Sequence, residues 1–166
     1  KLLRTAGLDK ILSDPSKMGL TVFAPTDAAF DEVPNATLTK LGSNLEKLKD
    51  TLLYHVTAGS VLAGDLTNGQ TIATLLSGKT LTVNVLLGEI SFVDNGGFLV
   101  ADVSEFNIRT SNGVIHEIDA VLFPQPSIAD ILEERKEFAT LVSLLKLAGL
   151  FDTLQSAGPF TLTAPN

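Results

Sequence analysis

The sequence predicts an α+β fold in which helices flank a middle section made mostly of β-strands. Near both ends of the chain, apolar residues recur at spacings of three and four, which is typical of amphipathic helices. In the middle, apolar and polar residues alternate over short segments separated by glycine and asparagine, which is typical of strands. The 166 residues are about the length of one domain, long enough to bury a core without disulfides.

The first part of the chain predicts helices around one strand. Residues 2–12 have helical spacing, although a glycine inside the segment divides the helix into two pieces. Residues 20–24 form a short apolar run that ends at Pro25, which favours a buried strand. Thr26 or Asp27 can then cap a short helical turn.

Another helix and the strands follow. Residues 45–53 carry leucines at helical spacing and lead into Tyr54 and His55. The dipeptide Asn112-Gly113 predicts a tight turn, in which a positive φ at Gly113 would explain the glycine. The strand candidates are residues 81–85, 90–93, 98–103, 108–110 and 114–122. The last of them is predicted to be a central strand.

A linker separates this region from the C-terminal segment. The prolines on either side of Gln125 can continue neither a helix nor a central strand, so residues 125–126 predict a linker. Ser127 has Asp130 three residues later, a variant of the capping box that begins helices. The apolar stripe that follows predicts one helix over residues 127–145.

The two ends of the chain carry related sequence. LLRTAGL at residues 2–8 returns as LLKLAGL at residues 144–150, an offset of 142. TVFAPT at residues 21–26 returns as TLTAPN at residues 161–166, an offset of 140. Solenoid repeats are only ~20 to 50 residues long. The spacing therefore indicates domain-sized units, and the chain contains most of one unit and the opening of the next.

Composition excludes several classes of function. The chain has 12 basic and 19 acidic residues, a formal charge of −7, which argues against nucleic acid or anionic membrane partners. It has no cysteine, so disulfides, cysteine-bound metals and thiol nucleophiles are excluded. No apolar run approaches the ~18 residues of a membrane span, so we expect no membrane insertion by this chain.

Three segments together resemble one family. TVFAPTDAAF at residues 21–30, LLYHV at residues 52–56 and NGVIHEIDAVLFP at residues 112–124 are similar to the first conserved block, the Tyr-His block and the second conserved block of the fasciclin-like (FAS1) domain. The resemblance implies a FAS1-type β-sandwich-like wedge with several helices packed around it. It also implies the domain order, which is a FAS1 domain without its opening helix over residues 1–124, a linker over 125–126, and the N-terminal part of a second unit over 127–166.

The resemblance implies an extracellular domain, secreted or at the cell surface, without a cofactor or enzymatic activity. Its function would be cell adhesion or matrix binding, with an extracellular protein, the matrix or a polysaccharide as partner. The alternative is a secreted domain that binds a small ligand or polysaccharide, and a hydrolase is a third, weaker alternative. A pocket lined by Tyr54, His55 and acids would favour ligand binding, whereas a flat exposed apolar strip there would favour adhesion.

The resemblance also supplies candidate binding residues. The Tyr-His block is the candidate adhesion site, and its residues are Leu52, Leu53, Tyr54, His55 and Val56. Some integrin-binding members carry an Asp-Ile pair before the second conserved block, and Asn107 and Ile108 occupy the corresponding positions here. Because an amide cannot supply the carboxylate that a metal-dependent receptor coordinates, this second match is weak.

Other polar residues have simpler explanations. His55 and His116 are the only histidines, and without an H-x-x-x-H pair we expect no metal site. Ser60 lies near His55 but lacks the G-x-S-x-G turn of many hydrolases. Asn35 begins the only N-glycosylation sequon, which we expect in a loop after Pro34 and which would matter in a eukaryotic source.

The second partial unit raises a question of assembly. The wedge over residues 1–124 lacks an opening helix, whereas residues 127–145 form such a helix without their own sheet. We therefore expect the C-terminal segment to complete the first unit, either within one chain as in a circular permutant or between chains as a domain-swapped homodimer.

Overall fold

The computed structural model describes residues 19–94, 99–155 and 160–164. The helix predicted over residues 2–12 lies outside this part. The described helices are α1 (Asp27–Asp31), α2 (Asn35–Ser43), α3 (Leu45–Tyr54), α4 (Ile128–Glu134), α5 (Ala139–Leu147) and α6 (Phe151–Gln155), with 3-10 turns at Ala63–Asp65 and Lys136–Phe138. The strands are β1 (Leu20–Pro25), β2 (Val56–Ala58), β3 (Thr71–Ala73), β4 (Thr80–Leu86), β5 (Glu89–Val93), β6 (Leu99–Arg109) and β7 (Gly113–Ile118).

The strands form one mixed sheet that folds back on itself. Its order is β2-β1-β7-β6-β5-β4-β3, with β1 and β7 parallel and the other neighbours antiparallel. A bridge between Thr57 and Thr74 joins the two ends, so the sheet is nearly closed. Phe23 of β1 and Phe92 of β5 lie with ring centroids 4.5 Å apart, although β7 and β6 separate their strands. The α+β, sandwich-like wedge is therefore confirmed.

The core lies between the facing halves of this sheet. Alternation along β4 points Leu81 and Val83 inward, and β5 adds Phe92. Ile118 at the end of β7 and Leu122 after it complete the same cluster. Each such side chain contributes roughly 1.5 to 3 kcal/mol when fully buried, so the core can fix the positions of the helices and loops around it.

Three predicted helix starts are confirmed by their caps. The Thr26 hydroxyl accepts the N–H of Ala29 at 3.0 Å and begins α1. Before α4, Ser127 accepts the N–H of Asp130, whose carboxylate accepts the N–H of Ser127 in return. The leucine pattern that predicts α3 is also confirmed, and Asn44 caps that helix. These caps satisfy backbone N–H groups that a helix leaves unpaired at its start.

The prediction of two strands over residues 98–103 and 108–110 was wrong. The structure has one long strand, β6, whose pairing with β7 shifts register between Val103 and Glu105 and again before Ile108. These irregularities behave as β-bulges, which let polar residues stay in a strand while its pairing changes. Asn107 has a φ of 59° inside the second irregularity. Polar residues that signalled a loop therefore mark bulges.

Gly113 is required for a different reason from the one predicted. It is the first residue of β7 and does not have a positive φ. It pairs with Leu20 across the parallel β1–β7 ladder, and a Cβ at this position would overlap the Leu20 carbonyl oxygen. The strand that follows is central, as predicted, but it ends at Ile118 instead of residue 122.

The single helix predicted over residues 127–145 is also divided. Helix α4 ends at Glu134, Arg135 is extended at φ −103° and ψ 111°, and α5 begins at Ala139 after a 3-10 turn. Residues 133–137 are all charged. This stretch has no apolar side chain to bury against the core, so packing does not favour a continuous helix there.

Candidate functional site

The Tyr-His block lies at the end of α3 and enters β2. The Tyr54 side chain is only 2% exposed, and its hydroxyl donates to the Thr80 carbonyl oxygen at 3.1 Å. Burial raises the pKa of Tyr54 to about 12, with a smaller contribution from the charge of Asp94. The phenol therefore stays neutral and connects α3 to the start of β4.

His55 is buried and uses both ring nitrogens. Nδ1 lies 2.7 Å from the Thr51 carbonyl oxygen, and Nε2 lies 3.0 Å from the backbone nitrogen of Leu122. Because the Leu122 N–H must donate, Nε2 must be the acceptor and the hydrogen must be on Nδ1. Burial lowers the pKa of His55 to about 4, so the imidazole is neutral at pH 7. The ring joins α3 to the segment after β7.

The rest of the block is apolar and mostly inside. Val56 is buried, and Leu52 and Leu53 are half-buried. The backbone carbonyl of His55 also accepts the N–H of Phe23 at 2.8 Å, which fixes the block against β1. Among the described residues, the block thus does not form a flat exposed strip. Its role in adhesion stays a prediction, and its two polar side chains have a structural task in the folded domain.

A second polar cluster holds the loop after β2. The buried Thr21 hydroxyl donates to the Gly59 carbonyl oxygen at 2.7 Å and accepts the N–H of Val61 at 2.9 Å. His116, also buried, has Nε2 at 2.9 Å from the Val61 carbonyl oxygen and stacks on Phe23. Both histidines of the chain therefore bond to main-chain atoms, which is the structural role expected for His116.

The weak match to the Asp-Ile pair lies in the β6 bulge. Asn107 accepts the N–H of Ala63 on its side-chain oxygen at 2.8 Å, and its own N–H points at His116 Nδ1 at 3.4 Å. Ile108 is half-buried. The side-chain oxygen of Asn107 is therefore bonded within the domain, and partner binding by this pair stays a prediction.

The glycosylation sequon begins a helix instead of lying in a loop. Asn35 is exposed and is the first residue of α2, directly after Pro34. Proline before or at a helix start is favourable because its missing N–H would have no partner there. The side chain of Asn35 is accessible to modification, and use of the sequon stays a prediction.

A groove of about 660 Å³ lies beside α3 on the side of α4, and no sequence motif predicted it. Lys40, Asp50 and Thr51 face it from α2 and α3, and Lys79 and Asp130 face it from across the groove. Burial raises the pKa of Asp50, and the charges of Glu46 and Asp130 raise it further. These residues come from segments distant in sequence, so only folding brings their charges together.

Residues 19–94, 99–155 and 160–164 contain no group of three or more His, Asp or Glu side chains placed to hold a metal ion. The same part of the chain also contains no helix with the length and apolar character needed to cross a membrane.

The chain is similar in sequence to known proteins. The chain is 30% identical over 164 residues to transforming growth factor-beta-induced protein ig-h3 of Oryctolagus cuniculus, covering 98% of this chain and 23% of that protein. It is 36% identical over 104 residues to the cell surface glycolipoprotein MPB83 of Mycobacterium bovis, covering 63% of this chain and 43% of that protein. The chain thus spans less than half the length of either relative.

The fold also has a solved counterpart. A FAS1 domain pair from the insect cell adhesion molecule fasciclin I matches with a TM-score of 0.61 and 19% identity, covering 93% of this chain and 54% of that one. The Fasciclin domain profile matches residues 1–124, a range that contains the three conserved blocks. This chain therefore belongs to the Fasciclin domain family.

Proposed function

We propose that this chain is a non-enzymatic extracellular domain, secreted or at the cell surface, that binds a protein or matrix partner in cell adhesion. The observation that carries the proposal is the Fasciclin domain match over residues 1–124. Relatives named as a cell surface glycolipoprotein and a cell adhesion molecule support the same location and role. The chain spans 23% of the rabbit relative, so the proposal concerns this domain alone.

The histidine geometry supports a role without catalysis. A general base needs an imidazole nitrogen within reach of a substrate proton. His55 donates through Nδ1 and accepts through Nε2, both to main-chain atoms, and its low pKa keeps it neutral. His116 is fully buried against Val61. Main-chain atoms therefore engage both imidazoles, which supports a role other than proton transfer.

Attachment to the immobilised chain tests the proposal. The intact folded chain and a heat-denatured sample of the same chain are coated at equal density on separate surfaces. The cells or purified matrix that remain bound after washing are then measured. We expect the folded chain to retain about tenfold more cells or matrix than the denatured sample, as for a specific interface. Equal retention by the two samples would contradict an adhesion function.

The groove beside α3 favours a second candidate, a small-ligand or polysaccharide-binding domain. Its volume of about 660 Å³ lies within the ~300 to 1,000 Å³ typical of ligand pockets. Lysine, carboxylate and hydroxyl groups along it can bind sugar hydroxyls and charged substituents. Calorimetry with neutral and charged oligosaccharides tests this: binding should be lost in Asp50→Asn and kept in Asp31→Asn, an exposed carboxylate on α1. No binding by the unaltered chain would exclude this candidate.

We also propose that residues 127–166 are the opening of a second unit and complete the wedge over residues 1–124. Ala129 and Leu132 of α4 are buried, and Glu134 forms an ion pair with Lys47 of α3. Residues 160–164 repeat part of the pattern of β1 but form no strand with any other described residue. Light scattering decides between completion within one chain and a domain-swapped homodimer. A stable, soluble monomer after truncation at Pro126 would contradict both.

A further inference from the structure

The tip of the β4–β5 hairpin exposes two adjacent leucines. Leu86 and Glu89 form the last strand pair, and Leu87-Gly88 is the two-residue turn between them. The Leu87 side chain is 97% exposed and that of Leu86 is 65% exposed. Single exposed apolar residues are ordinary on protein surfaces, whereas two adjacent leucines at a protruding tip are unusual. No other residue in the described part of the chain covers this pair. We call Leu86 and Leu87 the leucine tip.

The backbone at the leucine tip is strained as well as apolar. Leu87 has a φ of 54° and Gly88 a φ of 90°, which makes the turn type I′. This turn favours Asn, Asp or Gly at its first central position, because a branched apolar side chain is disfavoured at positive φ. Asparagine at residue 87 would remove both the strain and the apolar exposure. Strain retained at an exposed position points to a function at that position.

The hairpin presents the tip rigidly. Asn84 and Ser91 lie opposite each other on β4 and β5. The Asn84 side-chain amide donates to the Ser91 hydroxyl at 3.1 Å, and that hydroxyl donates to the Asn84 backbone carbonyl oxygen at 3.3 Å. The Val85 N–H donates to the Asn68 side-chain oxygen at 2.9 Å, which braces β4 from the loop before β3. A binding element held in one conformation loses little entropy when a partner docks.

The surroundings of the tip are acidic. Residues 80–108 contain no lysine or arginine. Glu89 is next to the turn, and Asp102 lies on the neighbouring strand with its N–H bonded to the Asp119 carboxylate at 2.8 Å. Burial raises the pKa of Asp102, and the negative charges of Asp119 and Glu89 raise it further.

This charge decides between two kinds of partner. A pair of leucines gives weak attachment to a lipid surface, and stable attachment needs a second signal such as a basic patch for anionic headgroups. Carboxylates beside the tip work against such headgroups. They complement a protein surface whose apolar pocket is bordered by lysine or arginine, an arrangement that gives both affinity and orientation.

We propose that the leucine tip is the contact through which this domain binds a protein partner that has an apolar pocket with a basic rim. This inference rests on the proposed adhesion function and specifies its surface. Leu86 and Leu87 fill the pocket, and Glu89 and Asp102 face its rim. None of these four side chains belongs to the Tyr-His block or to the β6 bulge.

Attachment to the immobilised intact chain tests the inference. The variants are Leu87→Asn and Leu86→Thr combined with Leu87→Asn, and the matched control is Leu147→Asn, which removes a leucine that is 87% exposed on α5. We expect the double variant to retain about tenfold fewer cells, the single variant to lie between it and the unaltered chain, and the control to be unchanged. Attachment should also fall with added salt.

Each outcome has a defined meaning. If the unaltered chain retains no cells, the adhesion function fails and the inference fails with it. If the unaltered chain and both tip variants retain cells equally, adhesion stands and the inference alone is overturned. Equal loss in Leu147→Asn would show general apolar adsorption and would also overturn it. Binding of phosphatidylcholine vesicles, or attachment that survives protease treatment of the cells, would identify lipid in place of protein.

Melting curves show whether each variant is still folded. Because asparagine is favourable at positive φ, Leu87→Asn should melt at the same temperature as the unaltered chain or higher. Lost attachment with an unchanged melting curve supports the inference. If the double variant melts lower, the single variant alone decides the outcome.

Discussion

The Tyr-His block and the leucine tip have opposite surroundings. In the block, polar side chains are buried and every one of their hydrogen-bonding atoms has a main-chain partner. At the tip, apolar side chains are exposed and the backbone has positive φ. The block is easy to recognise in the sequence, and it holds helix α3 to the sheet. The difference shows that the polar side chains of the family motif hold the interior together, whereas the exposed leucines at the tip lie outside that motif.

The largest effect should come from removing a buried hydrogen-bonding ring. His55→Ala leaves the Thr51 carbonyl and the Leu122 N–H without partners inside the protein. We expect a loss of about 3 kcal/mol in the free energy of unfolding, measured by urea denaturation. Tyr54→Phe removes one hydroxyl bond to Thr80 and should cost about 1 kcal/mol. Equal stability of His55→Ala and the unaltered chain would contradict the structural role of the His55 ring.

Acid should produce a similar effect through the same ring. The folded pKa of His55 is about 4, below its ordinary value of 6.5, so the unfolded chain binds the proton more strongly. Stability is therefore complete above pH 6.5 and is lost as the pH falls towards 4, by a total of about 3 kcal/mol from this group. The matched control is His55→Gln. Equal loss of stability in both proteins over this pH range would contradict the burial of a neutral ring.

A smaller loss of stability should follow from placing a side-chain atom between β1 and β7. Gly113→Ala places a Cβ against the Leu20 carbonyl oxygen and should separate the parallel pair, with a loss of about 2 kcal/mol. The control is Gly42→Ala in α2, where a Cβ meets nothing within 4 Å. That change should stabilise by about 0.5 kcal/mol. Opposite signs of the two changes in the free energy of unfolding would show that a steric contact requires Gly113. Equal signs would contradict this requirement.

The smallest change in stability should come from a substitution at the leucine tip. Leu87→Asn relieves a bulky residue at positive φ and should raise the free energy of unfolding by up to about 1 kcal/mol. Thermal and urea denaturation measure it directly. Substantial destabilisation by this change would show that Leu87 makes native contacts, and the tip would then not be free for a partner.

Local sequence features predicted the local structure well. The caps at Thr26 and Ser127 and the leucine spacing of α3 depend on neighbours within four residues, so the sequence contains the necessary information. The fold class followed from the three family blocks together with the strand alternation. In each case, the residue types and the structure they form lie in the same short segment.

Non-local contacts explain what the sequence did not predict. Gly113 is required by its contact with Leu20, which is distant in the chain, so the dipeptide Asn112-Gly113 suggested the wrong reason for this glycine. Asn107 interrupts the strand pattern because its side chain bonds to Ala63. The groove beside α3 and the field around Asp102 need charges from several segments. Burial of Tyr54 and His55 likewise depends on strands that a motif does not contain.

A proton NMR titration of the two histidines tests the central claim most directly, because the chain contains only His55 and His116. The claim is that the Tyr-His block is an interior support with a neutral imidazole. We predict that His55 titrates near pH 4 in the folded protein, with its hydrogen on Nδ1 above that pH. A pKa for His55 close to its ordinary value of 6.5, in a protein that remains folded, would contradict the account.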